Sequence, residues 1–292
     1  MSRLSAYFSA AGQMSPALLA AKIARRAGIH AGFVQRAELL HDPKAKQPDR
    51  LAELLDKLLA DAANTGAAPI SLEGRRILEI GSGPLGGLGP TAAVDGAAGY
   101  MGVDPGFREP VFRHPAVEAG FLRPALAAIS RMRKIEPDTA ALSARYKTLA
   151  DYFTGGLEDL PIPDKPYDLV LSISCLEHIV AVDDALARLK AVTSEEARQV
   201  HLVNFSNHTD KNRPFAEIYE SEPEHYRRTY GNHINLMRAP EIEDAFRRHG
   251  FDARIIPLDR RPDALPARID PWWEERYDRD VLAVRTALLL VN

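Results

Sequence analysis

The stretch RRILEIGSGPLGG, residues 75–87, constrains the fold more than any other part of the chain. Apolar residues flank Glu79 and run into four glycines, a pattern typical of a buried strand that ends in a tight turn before a helix. Glycine at such a turn lets backbone N–H groups approach a ligand closely. We therefore expect a ligand site at the carboxyl end of this first strand.

Short apolar runs alternate with helical patterns beyond this stretch, which predicts a parallel α/β sheet. The predicted strands are 77–80, 100–103, 146–149, 168–174, 200–205, 253–258 and 281–291, and the predicted helices fall near 91–96, 182–192 and 240–249. The last two strands lack a crossover helix between them, so the final strand should be antiparallel. The expected fold is α/β, a seven-stranded mostly parallel sheet with helices on both faces and an N-terminal helical extension.

The predicted domains are a helical extension over 1–70 and a main domain over 71–292. Within the extension, Ser15-Pro16 suits a helix start, and a second helix is expected at 49–63. The first helix should pack on the main domain, with contact to a membrane or a lipid-linked substrate as the alternative. Insertions near 107–145 and 206–238 leave the sheet at the edge where open α/β sheets bind ligands.

Composition excludes several classes of protein. The 292 residues include 37 Lys and Arg against 40 Asp and Glu, and a net charge of −3 argues against a general nucleic-acid binder. No stretch reaches the ~20 apolar residues of a membrane span, so no stable membrane insertion is expected. The single cysteine, Cys175, excludes an internal disulfide and fits a reducing compartment. We expect a cytoplasmic protein and a possible homo-oligomer.

The acidic residues near the glycine turn restrict its ligand. The spacing Gly81-x-Gly83-x-x-Gly86 also fits a dinucleotide, but the Glu79 carboxylate would repel a pyrophosphate. Asp104 follows Gly83 by 21 residues, where an acidic side chain accepts hydrogen bonds from ribose hydroxyls; a plain turn residue is the alternative. An adenosine that carries a cationic, amino-acid-like group satisfies both carboxylates, and S-adenosylmethionine is such a molecule.

Four segments in series, ILEIGSGPLGG, YMGVDPG, LEDLPIPDKPYDLVLSISCLEHI and INLMRAPEIEDAFRRHGF, resemble a class I, Rossmann-like, S-adenosylmethionine-dependent methyltransferase over residues 75–292. The resemblance implies that the methionine end of the cofactor is held by Glu79, Gly81, Ser82 and Gly83, the ribose by Asp104, and the adenine near Pro105, Leu157 and Glu158. It also implies that Ser174, Cys175 and His178 lie under the activated methyl group. Two positions depart from the family pattern: Leu85 replaces a third glycine, and Gly156 stands where Asp is common.

Methyl transfer to a hydroxyl needs close positioning and a base that removes the proton. His208, after the fifth predicted strand, is the first candidate, with Asp210 to orient its ring, and His178 is the rival. A metal site is not expected, because His225 and His233 lack ligand spacing and the fourth strand has no carboxylate where metal-dependent family members usually carry one.

The polar segment after the fifth strand, HLVNFSNHTDKNRPF, is loosely similar to bacterial methyltransferases that act on sugars and surface glycans, although Asn and Ser there are also ordinary turn formers. The predicted function is methyl transfer to a hydroxyl of a small molecule, sugar, glycan or natural product. The alternatives are an amine or carboxylate acceptor, a non-catalytic binding protein of the same fold, and a nicotinamide-dependent dehydrogenase. The carboxylates of Glu79 and Asp104 argue against the second of these, since a protein without the cofactor does not need them.

Overall fold

The computed structural model describes residues 15–29, 32–42, 47, 49–208, 210 and 212–292. Residues 1–14 of the predicted extension, 43–46 and 48 of its predicted loop, and 209 and 211 of the second insertion lie outside the described residues. The chain forms two compact units. The first contains the described residues within Met1–Asp56, with Leu72–Gly74 and Ser82–Gly155; the second contains Lys57–Ser71, Arg75–Gly81 and Gly156–Asn292.

Seven strands form one sheet. They are β1 (Arg76–Ile80), β2 (Gly99–Val103), β3 (Ala150–Phe153), β4 (Tyr167–Ile173), β5 (Thr193–Asn204), β6 (Ala253–Arg260) and β7 (Val284–Val291). Their order is β3-β2-β1-β4-β5-β7-β6. The pairs β1–β4, β2–β3 and β4–β5 are parallel, whereas β7 is antiparallel to both β5 and β6. The predicted α/β fold with an antiparallel last strand is therefore confirmed.

The longer helices are α1 (Pro16–Arg26), α2 (Gly32–His41), α3 (Arg50–Asn64), α4 (Gly89–Val94), α5 (Arg123–Met132), α6 (Thr139–Leu149), α7 (Val182–Val192), α8 (Pro223–Tyr230) and α9 (Ala239–Arg248). Short helical turns occupy Glu109–Arg113, Pro115–Val117, Glu118–Leu122, Leu157–Asp159, Leu176–His178, Pro262–Ala264, Pro271–Glu274 and Arg279–Leu282. Across the described residues, no helix is both long enough and apolar enough to span a bilayer.

The predicted strand at 146–149 is wrong, because these residues form the last turn of α6. The Asp138 side chain caps this helix by accepting a hydrogen bond from the Ala141 N–H (3.0 Å). Tyr146 and Leu149 are buried three residues apart on its inner face. A short apolar run suits a strand and a helix equally. The strand at this place in the chain is β3, which begins at Ala150, four residues after the predicted start.

In the first unit, an aromatic cluster holds the end of the glycine-rich stretch. The Tyr152 ring stacks on Phe107 with centroids 3.9 Å apart. Its hydroxyl donates to the Gly86 carbonyl (2.9 Å) and lies 2.7 Å from the Tyr146 hydroxyl. A side chain at Gly89 would place its Cβ 2.4 Å from that same hydroxyl, so glycine is needed there. The cluster fixes the backbone that follows β1.

In the second unit, a buried arginine anchors the insertion at 206–238. The Arg238 guanidinium, 2% exposed, donates to the Phe205 carbonyl (3.1 Å) and to the Tyr219 hydroxyl (3.0 Å). The Tyr219 ring also packs edge-on against Trp273. These contacts give the described part of the insertion an aromatic core of its own, which also includes Phe215 and Tyr226.

Candidate functional site

In the second unit, β1 carries Glu79 and is followed directly by Gly81. Glu79 is 3% exposed inside the strand. Gly81 has a φ of +80°, and a Cβ at this position would lie 2.4 Å from the Cys175 sulfur. Both observations exclude a larger residue, since the left-handed conformation is strained for other residues and the space is already filled. The tight turn predicted at residue 81 is therefore present.

In the first unit, the turn continues through Ser82 and Gly83 to contact Asp104. The Asp104 carboxylate accepts hydrogen bonds from the N–H groups of Gly83 (2.9 Å) and Gly106 (2.7 Å), one on each oxygen. The bond to Gly106 is the turn role considered as the alternative. A carboxylate has about four lone-pair sites, so each oxygen can still accept from a ribose hydroxyl.

Two further features of the first unit fit a polar ligand. The Ser82 hydroxyl is buried and makes no hydrogen bond to any described residue. Gly83 has a φ of +65°, and no atom lies within 4 Å of the position that a Cβ would take. An unpaired buried hydroxyl is costly unless a ligand pairs with it, so these residues fit a cofactor that has hydrogen-bonding groups.

The remaining predicted cofactor residues lie in turns. Pro105 is exposed in the first unit. In the second unit Leu157 is buried and the Glu158 carbonyl accepts a hydrogen bond from Arg188 (3.0 Å). Ser174 has a φ of +51°, and its N–H donates to the carbonyl of Leu202. Their contacts to the cofactor stay predictions.

The second unit also contains a cluster of Glu177, His178 and His208, which we call the His–Glu cluster. One potential ligand atom from each side chain lies within 4.8 Å of the other two. His208 Nε2 is 3.6 Å from Glu177 Oε1, and the two imidazole centroids are 4.8 Å apart. The second insertion thus brings His208 to the turn that follows β4.

Glu177 is the least expected member of the cluster. It is 3% exposed, and neither carboxylate oxygen makes a hydrogen bond of normal geometry to a described residue. Burial raises the pKa of Glu177 to about 8, and the nearby backbone N–H groups of Glu177 and Asn204 oppose the rise only in part. A buried carboxyl without a partner costs stability, which points to a functional role.

Hydrogen bonds fix the tautomer of His178. Its Nδ1–H donates to the carbonyl oxygen of His233 (2.6 Å), because a carbonyl only accepts. The neutral ring therefore has its lone pair on Nε2, and the side chain is exposed. Asn235 holds the same turn, since its side-chain amide donates to the carbonyls of Leu176 (2.8 Å) and Ile179 (3.0 Å).

The ring of His233 is itself held by two contacts. Its Nδ1–H donates to the Tyr230 carbonyl (3.1 Å), and its Nε2 lies 3.2 Å from the Tyr226 hydroxyl. The carbonyl that orients His178 thus belongs to a residue that is fixed by two contacts of its own. His233 supports the cluster and is not a member of it.

His208 has a strained backbone, with a φ of +59°. Burial lowers the pKa of His208, and the positive charge that His178 can carry lowers it further. Asp210 does not orient this ring in the described structure. Its Oδ1 accepts from the Asn212 N–H (2.9 Å), and the carboxylate that lies near His208, at 3.6 Å from Nε2, is that of Glu177. The described residues show no contact between His208 and Asp210, and their pairing stays a prediction.

The asparagine side chains of the polar segment after β5 form hydrogen bonds to backbone groups of the same segment. The Asn207 side chain donates to the carbonyls of Arg213 (2.9 Å) and Ala216 (3.0 Å), and it accepts from the Asp210 N–H (3.1 Å). The Asn204 side chain accepts from the Ser206 N–H (3.0 Å). The turn-forming alternative therefore accounts for both asparagines.

The sequence did not predict Glu177 or His233 as site residues. The signal for Glu177 was present in the segment CLEH, where a carboxylate adjoins a histidine just after a buried strand. His233 was considered only as a metal ligand. Its use of a backbone carbonyl to orient another histidine has no signature in the sequence.

Comparison with known proteins identifies the family of the chain. A family model described as a methyltransferase domain matches residues 44–254. Among solved structures, an S-adenosylmethionine-dependent methyltransferase from Mesorhizobium loti is 18% identical, with 80% of this chain and 96% of that chain covered and a TM-score of 0.44.

A phosphoethanolamine N-methyltransferase from Haemonchus contortus, solved with phosphomonomethylethanolamine and S-adenosylhomocysteine, is 16% identical at a TM-score of 0.44. The match covers 81% of this chain, which spans about half (52%) of that chain's length. A search of curated proteins finds no match. Because the family model covers well over half of its residues, the chain belongs to the methyltransferase-domain family, as its resemblance to the class I S-adenosylmethionine-dependent enzymes predicted.

Proposed function

We propose that the protein transfers the methyl group of S-adenosylmethionine to a hydroxyl of a small molecule, with sugars, glycans and natural products as the acceptor class. The observation that carries the hydroxyl assignment is the His–Glu cluster, which gathers proton-accepting groups just beyond β4. When bound, the cofactor supplies an electrophilic methyl group on a sulfonium. Glu79, Gly81, Ser82, Gly83 and Asp104 would hold it.

His178 is the stronger candidate for the base, which reverses the order favoured by the sequence. Its Nδ1–H donates to the His233 carbonyl, so Nε2 is free to take the hydroxyl proton as the oxygen bonds to the methyl carbon. His208, next to it, would share the positive charge that develops or replace His178 as the base. We assign Asp210 no part in the step, since its carboxylate caps a turn.

The cluster also bears on the alternatives. A carboxylate acceptor is already deprotonated at neutral pH and needs no base, so two adjacent imidazoles would serve no purpose for it. An amine acceptor remains the second candidate, because a protonated amine must lose a proton before it attacks. The assignment to sugars and glycans depends on the loose resemblance of the segment after β5, whose asparagines form turns.

The test compares variants of one enzyme with isotopically labelled S-adenosylmethionine and a metabolite extract. His178→Gln should lower label transfer by about 10²–10⁴-fold, the typical contribution of general-base catalysis. Asp210→Asn is the matched control in the same insertion and should retain the parent rate. Cofactor affinity, measured by calorimetry, should be the same in the parent and in each variant. Unchanged transfer in both His178→Gln and His208→Gln would refute the base assignment.

A further inference from the structure

We propose that Glu177, His178 and His208 form a binding site for a first-row divalent transition-metal ion. Two imidazoles and one carboxylate are a ligand set that binds such ions with positions left open for another ligand. No metal site was predicted from the sequence. His225 and His233 were the histidines weighed as ligands, and the carboxylate of Glu177 was not included.

The distances in the cluster suit a small cation. Bonds of about 2.0–2.2 Å place two ligands of a tetrahedral ion roughly 3.4 Å apart. His208 Nε2 and Glu177 Oε1 are separated by 3.6 Å, close to that value. All three ligand atoms lie within 4.8 Å of one another, so the widest pair would close by about 1.4 Å at most when the ion binds.

The carboxylate supplies an observation that is independent of this spacing. Glu177 is 3% exposed, and neither of its oxygens has a hydrogen-bond partner of normal geometry in the described part of the chain. The group is too far from His208 for a hydrogen bond, at 3.6 Å. Burial of a carboxylate in this way is costly unless it is paired or coordinates a metal. A bound cation provides the missing partner.

The surroundings of His178 match those of a metal-binding histidine. Such a residue usually donates its other ring N–H to a backbone carbonyl or a carboxylate, which fixes the ring and the tautomer. His178 donates Nδ1–H to the His233 carbonyl, and Asn235 holds the turn that carries it. The Nε2 lone pair is left for the ion.

The ligand types select among cations. Imidazole nitrogen suits Zn²⁺, Co²⁺ and Fe²⁺, whereas Mg²⁺ and Ca²⁺ prefer sites made of oxygen atoms. We therefore expect Zn²⁺ and Co²⁺ to bind and Mg²⁺ to compete poorly.

The role of the ion rests on the proposed function. A bound cation would hold the acceptor hydroxyl and lower the pKa of its proton, which leaves to water. The oxygen then bonds to the methyl carbon while the carbon–sulfur bond of the donor breaks and its electron pair stays on sulfur. In this form of the mechanism His178 is a ligand, and the metal replaces it in activating the hydroxyl.

The binding test uses the full-length protein after treatment with a chelator, without cofactor or acceptor. Titration with Zn²⁺ by calorimetry should show one site, and Co²⁺ should give a visible absorption spectrum typical of nitrogen and oxygen ligands. We expect weaker Zn²⁺ binding in each of three variants, Glu177→Gln, His178→Gln and His208→Gln. The affinity should fall by at least about 10–100-fold, which is the typical loss when a group that hydrogen-bonds to a metal ligand is replaced.

The matched control is His249→Gln, because His249 Nε2 lies 3.0 Å from the Asp183 carboxylate without a third ligand in the described residues. This variant should bind Zn²⁺ like the parent protein. Thermal unfolding checks that each variant is folded, and His208→Gln, at a side chain that is 26% exposed, keeps the test valid if Glu177→Gln unfolds.

Absence of Zn²⁺ binding in the parent protein would overturn the proposal, as would equal binding by the parent and His208→Gln. Because the titration involves no methyl transfer, either result leaves the proposed function untouched. Full label transfer by chelator-treated protein would overturn the catalytic role of the ion alone.

Discussion

His201 should make the protein lose stability in mild acid. It lies in β5 with no exposed surface, where its Nδ1 is 2.8 Å from the Ser172 hydroxyl and its Nε2 is 3.1 Å from the Gln199 side-chain oxygen. Burial lowers the pKa of His201 to about 3, whereas in the unfolded chain it is ~6.5. Between these two values the unfolded chain binds one more proton than the folded protein. The stability that neutral His201 contributes is therefore fully present above pH ~6.5 and is lost as the pH falls toward 3.

The size of the loss follows from linkage. Each pH unit below the unfolded pKa costs about 1.4 kcal/mol, so the 1.5 units from ~6.5 to pH 5 amount to about 2 kcal/mol. The folded protein has not yet bound the proton at pH 5, so the result does not depend on how far below 5 the folded pKa lies.

The assay is urea unfolding of the parent and of His201→Gln at pH 7.5 and at pH 5. The parent should lose about 2 kcal/mol more than His201→Gln between the two pH values. His225→Gln, which replaces an exposed histidine, is the control and should behave like the parent. Equal losses in the parent and in His201→Gln would show that His201 is protonated in the fold, and would refute the argument.

Two further predictions concern the first unit. Asp104→Ala removes the acceptor of the Gly83 and Gly106 N–H groups and should weaken S-adenosylmethionine binding by about 1–3 kcal/mol in calorimetry, while an unchanged dissociation constant would contradict the ribose assignment. Arg133→Met removes the guanidinium that contacts Asp56 (2.6 Å) and Asp95 (2.7 Å) and leaves two carboxylates without their shared cation. The partly buried position predicts a loss of about 1–3 kcal/mol in urea unfolding, and the loss should be smaller for an exposed arginine such as Arg228.

The fold could be predicted because its signals are local. The apolar run before Gly81 and the turn that follows it place β1, and the absence of a crossover helix before the last strand predicts its antiparallel direction. The error at 146–149 arose where the signal is ambiguous. Four residues of apolar and polar side chains fit either element, and the side chain of Asp138 selects the helix from eight residues away.

The candidate site could be predicted only where its residues follow a spacing that can be recognised in the sequence. The glycine turn and Asp104 have a spacing that is typical of the family, so a cofactor role could be proposed for them from the sequence. The His–Glu cluster joins residues about 30 positions apart, and its geometry depends on how Arg238 and its aromatic neighbours fold the insertion. Sequence proximity therefore favoured Asp210 as the partner of His208, whereas the fold supplies Glu177.

The most direct test of the account is the identity of the atom that receives the methyl group. The full-length protein would be incubated with isotopically labelled S-adenosylmethionine and a metabolite extract, and the products would be separated and analysed by nuclear magnetic resonance and mass spectrometry. We expect a labelled methyl group on oxygen, formed in equal amount with S-adenosylhomocysteine and reduced in His178→Gln. A labelled methyl group on nitrogen, or bound cofactor with no labelled product from any extract, would contradict the proposed hydroxyl methylation.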